Sequence, residues 1–156
     1  MLLCGGVIGL RKSPASKIYN DSKVSFRYKG TFSLGQIDYD KIRIAEITNN
    51  DNKMAEIATI ETDDAEKSLK TILVDSYPDL NKNNLRKIIK PSSEAYQFVQ
   101  SDTDETATYT YIKKGRLVLM AKFYNSYYPL NNPLVKIDNS MLLKDYLNIV
   151  NSLELK

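Results

Sequence analysis

Three sets of side chains in this sequence have the types and spacing to do chemistry. The acids gather as Asp38/Asp40, Asp63/Asp64 and Asp102/Asp104/Glu105. Carboxylate oxygens converging from one loop suit a hard cation such as calcium. None of these groups has the spacing of an EF-hand loop. Asp63 and Asp64 have another use, as acids in the first turn of a helix, and Asp102 to Glu105 reads as a solvated turn. The second set is aromatic: Tyr109, Tyr111, Tyr124, Tyr127 and Tyr128 fall late in the chain. Tyr127 and Tyr128 stand among Asn and Pro, in an expected loop, where two rings on a rigid scaffold make a partner-binding surface. The alternative is that one ring tucks under a sheet edge while the other covers it. The third set is Lys113 and Lys114, with Arg116, at an expected hairpin tip. Such a cluster meets an anionic partner or lipid headgroup, or only keeps the turn solvated.

The missing residues exclude more than the present ones suggest. The 156 residues include no histidine, no tryptophan and a single cysteine, Cys4. Without histidine there is no Ser-His-Asp triad, no Cys-His pair and no imidazole zinc site. One cysteine makes neither an internal disulfide nor a CxxC pair. The net charge of +3 is spread thinly, short of the basic stripe that nucleic acid requires. No catalytic residue, metal ligand or cofactor is expected from these patterns.

The elements that position these groups follow from periodicity. Thr106 to Tyr124 reads as two long strands joined by a turn at Gly115, because Ala107, Tyr109 and Tyr111 alternate with Thr106, Thr108 and Thr110. The return strand, Leu117 to Phe123, is apolar on both faces and so belongs in the middle of a covered sheet. Ile18-Tyr19 and Val24 to Tyr28 form strands around an Asn20-Asp21-Ser22 turn, and Phe32 folds back as a core plug. Ile42 to Ile47 and Met54 to Ile60 form a hairpin. A helix is expected from a Thr62 cap, with Asp63, Asp64 and Glu66 in its first turn and a stripe of Ala65, Leu69, Ile72, Leu73 and Tyr77, ended by Pro78. Strands at Leu85 to Ile89 and Ala95 to Val99 follow. The last helix starts near Asp138 or Asn139 and buries Leu142, Leu143, Tyr146, Ile149, Val150 and Leu153. Two amphipathic helices on two sheet faces predict an α+β chain, a three-layer α/β/α sandwich with a central, mainly antiparallel sheet.

Residues 1–17 read as an apolar anchor or signal remnant followed by a linker, and residues 18–156 as one domain. Met1 to Leu10 carries no charge and is about half of what a bilayer span needs. It lacks the basic start of a signal peptide, and an N-terminal strand or apolar tail is the other reading. Leu3 precedes Cys4 where a lipid-attachment signal wants a small residue, so Cys4 reads as a passive thiol.

This layout resembles the PsbP-like family, named for the extrinsic lumenal protein of photosystem II. The resemblance is carried by Phe26-Arg27-Tyr28 after a short strand and turn, a Gly-Thr-Phe break, a hairpin and one helix. Ala95-Tyr96-Gln97-Phe98, the long hairpin through Gly115 and a helix closing on Ile149-Val150-Asn151-Ser152-Leu153 complete it. It spans Ile18 to Leu153 and is one of element order. Photosynthetic members use an N-terminal extension and, in some, histidine there. This chain has neither, and Phe32 stands where a tryptophan is common. A Ran-binding nuclear-import factor of similar fold shows that the fold alone does not set function. The resemblance implies a non-catalytic, extracytoplasmic interaction or assembly module, membrane-anchored or secreted, with an unidentified protein partner and no nucleic acid. Membrane contact would come only through an N-terminal anchor. A cytoplasmic partner-binding domain, or an enzyme that works without histidine, are the alternatives.

Overall fold

The computed structural model describes residues 15–40, 42–80 and 84–156. The apolar start with Cys4, and most of the linker after it, lie outside the described residues.

The chain begins with a hairpin of β1 (Ser16–Asn20) and β2 (Val24–Lys29). Asp21 holds its turn: its Oδ1 accepts the amides of Lys23 at 2.7 Å and Val24 at 2.8 Å. Its Oδ2 accepts the Tyr19 hydroxyl at 2.9 Å and meets Arg43 at 3.4 Å. Burial alone would raise the Asp21 carboxyl, but the Val24 and Lys23 amides, Tyr19 and Arg43 outweigh it and hold it below its ordinary value. Burial, with the Asp21 carboxylate beside it, pushes Tyr19 up to about 12. A lowered carboxyl stabilises the fold above the unfolded value of about 3.9, and that contribution is lost as pH falls through the folded value. Asp21→Asn is therefore expected to cost about 1 kcal/mol at pH 7 and to flatten the acid limb of the stability curve. Denaturant titrations at pH 7 and pH 3 check this, and an equal loss at both pH values would refute it.

The larger sheet begins with β3 (Ser33–Tyr39), β4 (Ile42–Asn49) and β5 (Asn52–Glu61). Asn50 and Asp51 both have positive φ, at 49° and 63°, which makes the tight turn that matches strand twist. Helix α1 (Leu69–Ser76) follows, then β6 (Arg86–Lys87), β7 (Glu94–Ser101), β8 (Glu105–Lys114) and β9 (Leu117–Tyr127). Gly115, at φ 58°, turns β8 into β9. The chain closes with β10 (Ile137–Asp138), a 3-10 turn at Ser140–Leu142, helix α2 (Leu143–Ser152) and β11 (Glu154–Leu155). Strand order is β3-β4-β5-β9-β8-β7-β6, with β10 on β9, and β1-β2-β11 form a separate sheet. Every described pairing is antiparallel. The hairpin expected at the centre is at the centre, with β9 between β5 and β8.

The two helices touch opposite faces of the large sheet. On one face Leu119, Ala121 and Phe123 of β9 join Ala45, Ile47, Ala55, Ile57 and Ile112 against Phe26, Phe32, Tyr146, Ile149 and Val150. Phe32 is the core plug that its sequence setting predicts. That face is covered jointly by α2 and the three-stranded sheet. On the other face Phe98, Tyr109, Tyr111 and Val118 meet Leu69, Leu73 and Tyr77. Here α1 covers only the β7–β9 side, and Ile37, Ile42 and Ile60 keep substantial exposure on the uncovered strands. The α+β class and the antiparallel sheet are as expected, while the coverage of the two faces is uneven.

Several boundaries differ from expectation. β3 is a strand where none was expected. Thr62 does not cap α1. The helix starts seven residues later, at Leu69, with the Ser68 hydroxyl accepting the Thr71 amide at 3.2 Å. Glu94 of β7 supplies the carboxylate that the helix start favours, accepting the Leu69 amide at 2.7 Å. Thr62 to Ala65 is drawn off the helix axis by the hairpin tip: Arg116 donates to the Thr62 carbonyl at 3.3 Å and Lys113 to the Ala65 carbonyl at 2.7 Å. The strand expected at Leu85 to Ile89 shrinks to Arg86–Lys87. Leu143, expected on the buried face of α2, is exposed.

One core group stands out. Thr59 is buried, and among the described residues its hydroxyl has no hydrogen-bond partner. Thr59→Val keeps the shape and removes the unmet polar group, so it is expected to stabilise the fold by about 1 kcal/mol. A melt of Thr59→Val below that of the parent would show that the hydroxyl is satisfied after all.

Candidate binding cleft at the end of β9

The two tyrosines expected to contact a partner lie where β9 leaves the sheet. Tyr127 is not in a loop. β9 continues through it, because Ile137 and Asp138 of β10 return to pair with Tyr127 and Ser126. Its hydroxyl accepts the Lys53 amide at 2.8 Å, tying the end of β9 to the start of β5. Its ring packs on Tyr124, 5.5 Å between centroids. Tyr128 is the freer of the pair. It is exposed, and its amide donates to the Asp104 carbonyl at 3.1 Å.

These rings open a cleft of about 700 Å3 whose walls include Lys53, Glu105, Tyr124, Tyr127, Tyr128 and Leu130. A chain of alternating charges runs from its floor onto the uncovered sheet face. Lys53 lies 3.4 Å from Glu46 and 3.5 Å from Glu56. Lys122 lies 2.6 Å from Glu105 and 4.4 Å from the centre of the Tyr124 ring. Burial would lower both ammonium groups, but Glu56 and Glu46 raise Lys53, and Glu105 with Tyr109 raises Lys122. Burial, with Glu56 beside the hydroxyl, raises Tyr124 far above the ordinary tyrosine range. At neutral pH Lys53 and Lys122 therefore stay charged and Tyr124 stays neutral. A general acid or base is tuned close to the working pH instead.

Asn139 braces the cleft from below. It was expected as a helix cap, yet its side chain makes no cap bond. Its amide donates to the carbonyls of Lys53 and Tyr124, both at 2.8 Å. Sequence reasoning missed this role, and it missed the Glu46–Lys53–Glu56 chain. The signal for the second was present, since the β4–β5 hairpin register places Glu46 opposite Glu56.

Lys113 and Lys114 are not brought together with the tyrosines. Glu105 pairs with Tyr127 at one end of the β8–β9 ladder and Lys114 with Leu117 at the other, about 30 Å away at strand rise. Lys113 is buried with its ammonium on the Ala65 carbonyl, and Lys114 donates to the Leu155 carbonyl at 3.0 Å. Both act as ties between elements. The acidic clusters are likewise engaged locally: Asp38 of β3 pairs with Arg43 across the ladder to β4, and Asp102, in a turn, accepts the Thr103 amide. Among the described residues no group of three or more His, Cys, Asp or Glu converges as a metal site, and no helix is long and apolar enough to cross a membrane.

No protein-family profile matches the sequence, and no curated protein matches it. Solved structures do. The solution structure of cyanobacterial PsbP (CyanoP) from Synechocystis sp. PCC 6803 superposes with a TM-score of 0.55 at 8% identity, covering 98% of this chain and 99% of that one. The chain has a PsbP-like fold. A crystal structure from Bacteroides thetaiotaomicron matches with a TM-score of 0.51, also at 8% identity, over 93% of this chain. The chain spans about half of that Bacteroides protein, 49% of its length. At this identity the likeness to PsbP is one of fold, and the function has to be argued from the cleft.

Proposed function

We propose that this chain is a three-layer α/β/α, PsbP-like module that works by binding a protein partner outside the cytoplasm and carries out no catalysis. The observation behind the reading is the cleft at the end of β9. It is open and walled by tyrosine, and its Lys53 and Glu105 are already paired with neighbouring charges. Such a surface offers apolar contact area with little entropy to lose, and its Lys53 and Tyr124 are shifted away from the neutral range that proton transfer uses. The contact residues are Tyr128 and, through its packing on Tyr124, Tyr127. Lys113 and Lys114 are left out, because their ammonium groups are committed to backbone carbonyls.

The test is site-specific photo-cross-linking in the source cells. A benzophenone amino acid at Tyr128 is expected to capture a discrete partner, and the same group at Ile89, exposed elsewhere, is not. Tyr128→Ala is expected to lower partner affinity about tenfold, the size of one good aromatic contact, with little change in melting. Identical products from both positions would refute the contact. The extracytoplasmic placement leans on the fold likeness and is checked separately by fractionating the full-length protein. Recovery with the cytoplasm would favour the cytoplasmic partner-binding alternative.

A further inference from the structure

The loop joining β9 to β10 forms one wall of the cleft, but its outer surface points to something other than a protein partner. The run from Phe123 to Val135 carries no charge. Leu130 and Leu134 are all but fully exposed, Val135 is half exposed and Tyr128 stands exposed at the base. The base is closed by the β9–β10 pairing and by the Tyr128 amide on the Asp104 carbonyl. The tip is folded on itself. The Asn132 amide donates to the Pro129 carbonyl at 3.0 Å and the Val135 amide to the Asn132 carbonyl at 3.3 Å. Pro129 and Pro133 have no amide hydrogen to leave unpaired. A short loop is thus folded on two turn bonds with its leucines outward.

We propose that this loop dips into the interfacial layer of a lipid bilayer, with Leu130 and Leu134 as the inserted side chains. Four features fit that occupant. The leucines leave water on insertion, which is favourable in proportion to the area removed. No charge has to be desolvated within the tip. Two of the tip positions are prolines with no backbone donor and the Asn132 and Val135 amides are already bonded, so fewer donors meet the layer. Tyrosine at the base suits the headgroup level, where one end of the ring is apolar and the other wet. Protein contacts concentrate on side chains seated in complementary pockets, whereas these leucines protrude singly and a fluid interface takes them without shape matching. A neutral tip also requires no anionic lipid, so attachment is to zwitterionic bilayers and depends little on salt. The proposal goes beyond the protein-contact reading, and would hold the cleft at a membrane surface.

The absence of tryptophan supplies the experiment. Leu134→Trp places a single reporter on the tip, and Ile89→Trp places one at an exposed site near the Lys90–Ser93 turn, towards the opposite end of the sheet. Full-length chains are mixed with phosphatidylcholine vesicles. The emission of the tip reporter is expected to shift to the blue while that at position 89 stays in place. Leu130→Asp with Leu134→Asp is expected to lower the vesicle-bound fraction at least tenfold without changing the melt, because both leucines are exposed. No shift at position 134, equal shifts at both positions, or undiminished sedimentation of the double variant each overturns the proposal. The last of these would mean that another part of the chain makes the attachment. Loss of the cross-link from position 128 in the double variant, when the parent does not bind vesicles, would return the leucines to a protein contact. A failed Tyr128→Ala test beside intact vesicle binding would instead remove the cleft reading alone.

Discussion

Leu119→Ala is expected to destabilise the fold by about 2–5 kcal/mol, the range for deleting a buried leucine from a packed core. Leu119 is fully buried, and it lies near the start of β9, the central strand of the large sheet, with β5 on one side and β8 on the other. It stands opposite Ile112 on β8 and Thr59 on β5. Its side chain belongs to the cluster that includes Phe26, Tyr146 and Ile149, so no single segment can shift to fill the gap. The upper half of the range is therefore expected. Urea titration gives the answer as a shift in midpoint at constant slope. A loss below about half a kcal/mol would contradict the central placement of β9, since core truncations cost several times that.

Tyr146→Ala is expected to cost about 3–5 kcal/mol, as for other large aromatic truncations. Tyr146 is the largest fully buried side chain and stacks on Phe123 with centroids 4.9 Å apart. Its hydroxyl donates to the Ala121 carbonyl at 2.9 Å and accepts the Thr110 hydroxyl at 2.8 Å. Burial raises its pKa, so the ring stays neutral throughout the physiological range. Tyr146→Phe separates packing from polarity. It keeps the stack and strands the Thr110 hydroxyl, and about 1–2 kcal/mol of the loss is expected from that alone. Equal losses for Ala and Phe would mean that the hydrogen bonds, and not the packing of α2 on β9, dominate the site.

What could be read in the sequence was what is local. The β8–β9 hairpin announces itself through alternating Thr and Tyr and through Gly115. The β4–β5 turn does so through Asn50-Asp51, and Pro78 marks the end of α1. What could not be read is set by partners far along the chain. β3 is an edge strand, largely exposed on both faces, so no apolar alternation marks it. Thr62 to Glu66 has every local feature of a helix start, and is kept out of the helix by Lys113 and Arg116 about fifty residues on. Tyr127 looks like loop because its strand partner, Ile137, lies beyond two prolines. The cleft was half legible: its tyrosines stood out and the β4–β5 hairpin carried the signal for the Glu46–Lys53–Glu56 chain, while Asn139 has no mark that separates it from an ordinary helix cap. Lys113 and Lys114 carried the charge expected of a binding tip, but their long stems reach back to carbonyls instead.

The pairing of β11 with β2 bears on how the chain is made. Val24 and Leu155 share a ladder, although they come from opposite ends of the described sequence. The β1–β2 hairpin therefore cannot complete its sheet until nearly the whole domain has been synthesised. Until then Val24 and Phe26 lack the helix and strand that cover them. Contacts of such long sequence separation are slow to form, because the intervening loop must first be closed. Folding of this domain is thus expected to finish only after β11 has been made. The newly made chain would expose the β1–β2 hairpin during that interval, so that hairpin is where a chaperone would gain most by binding.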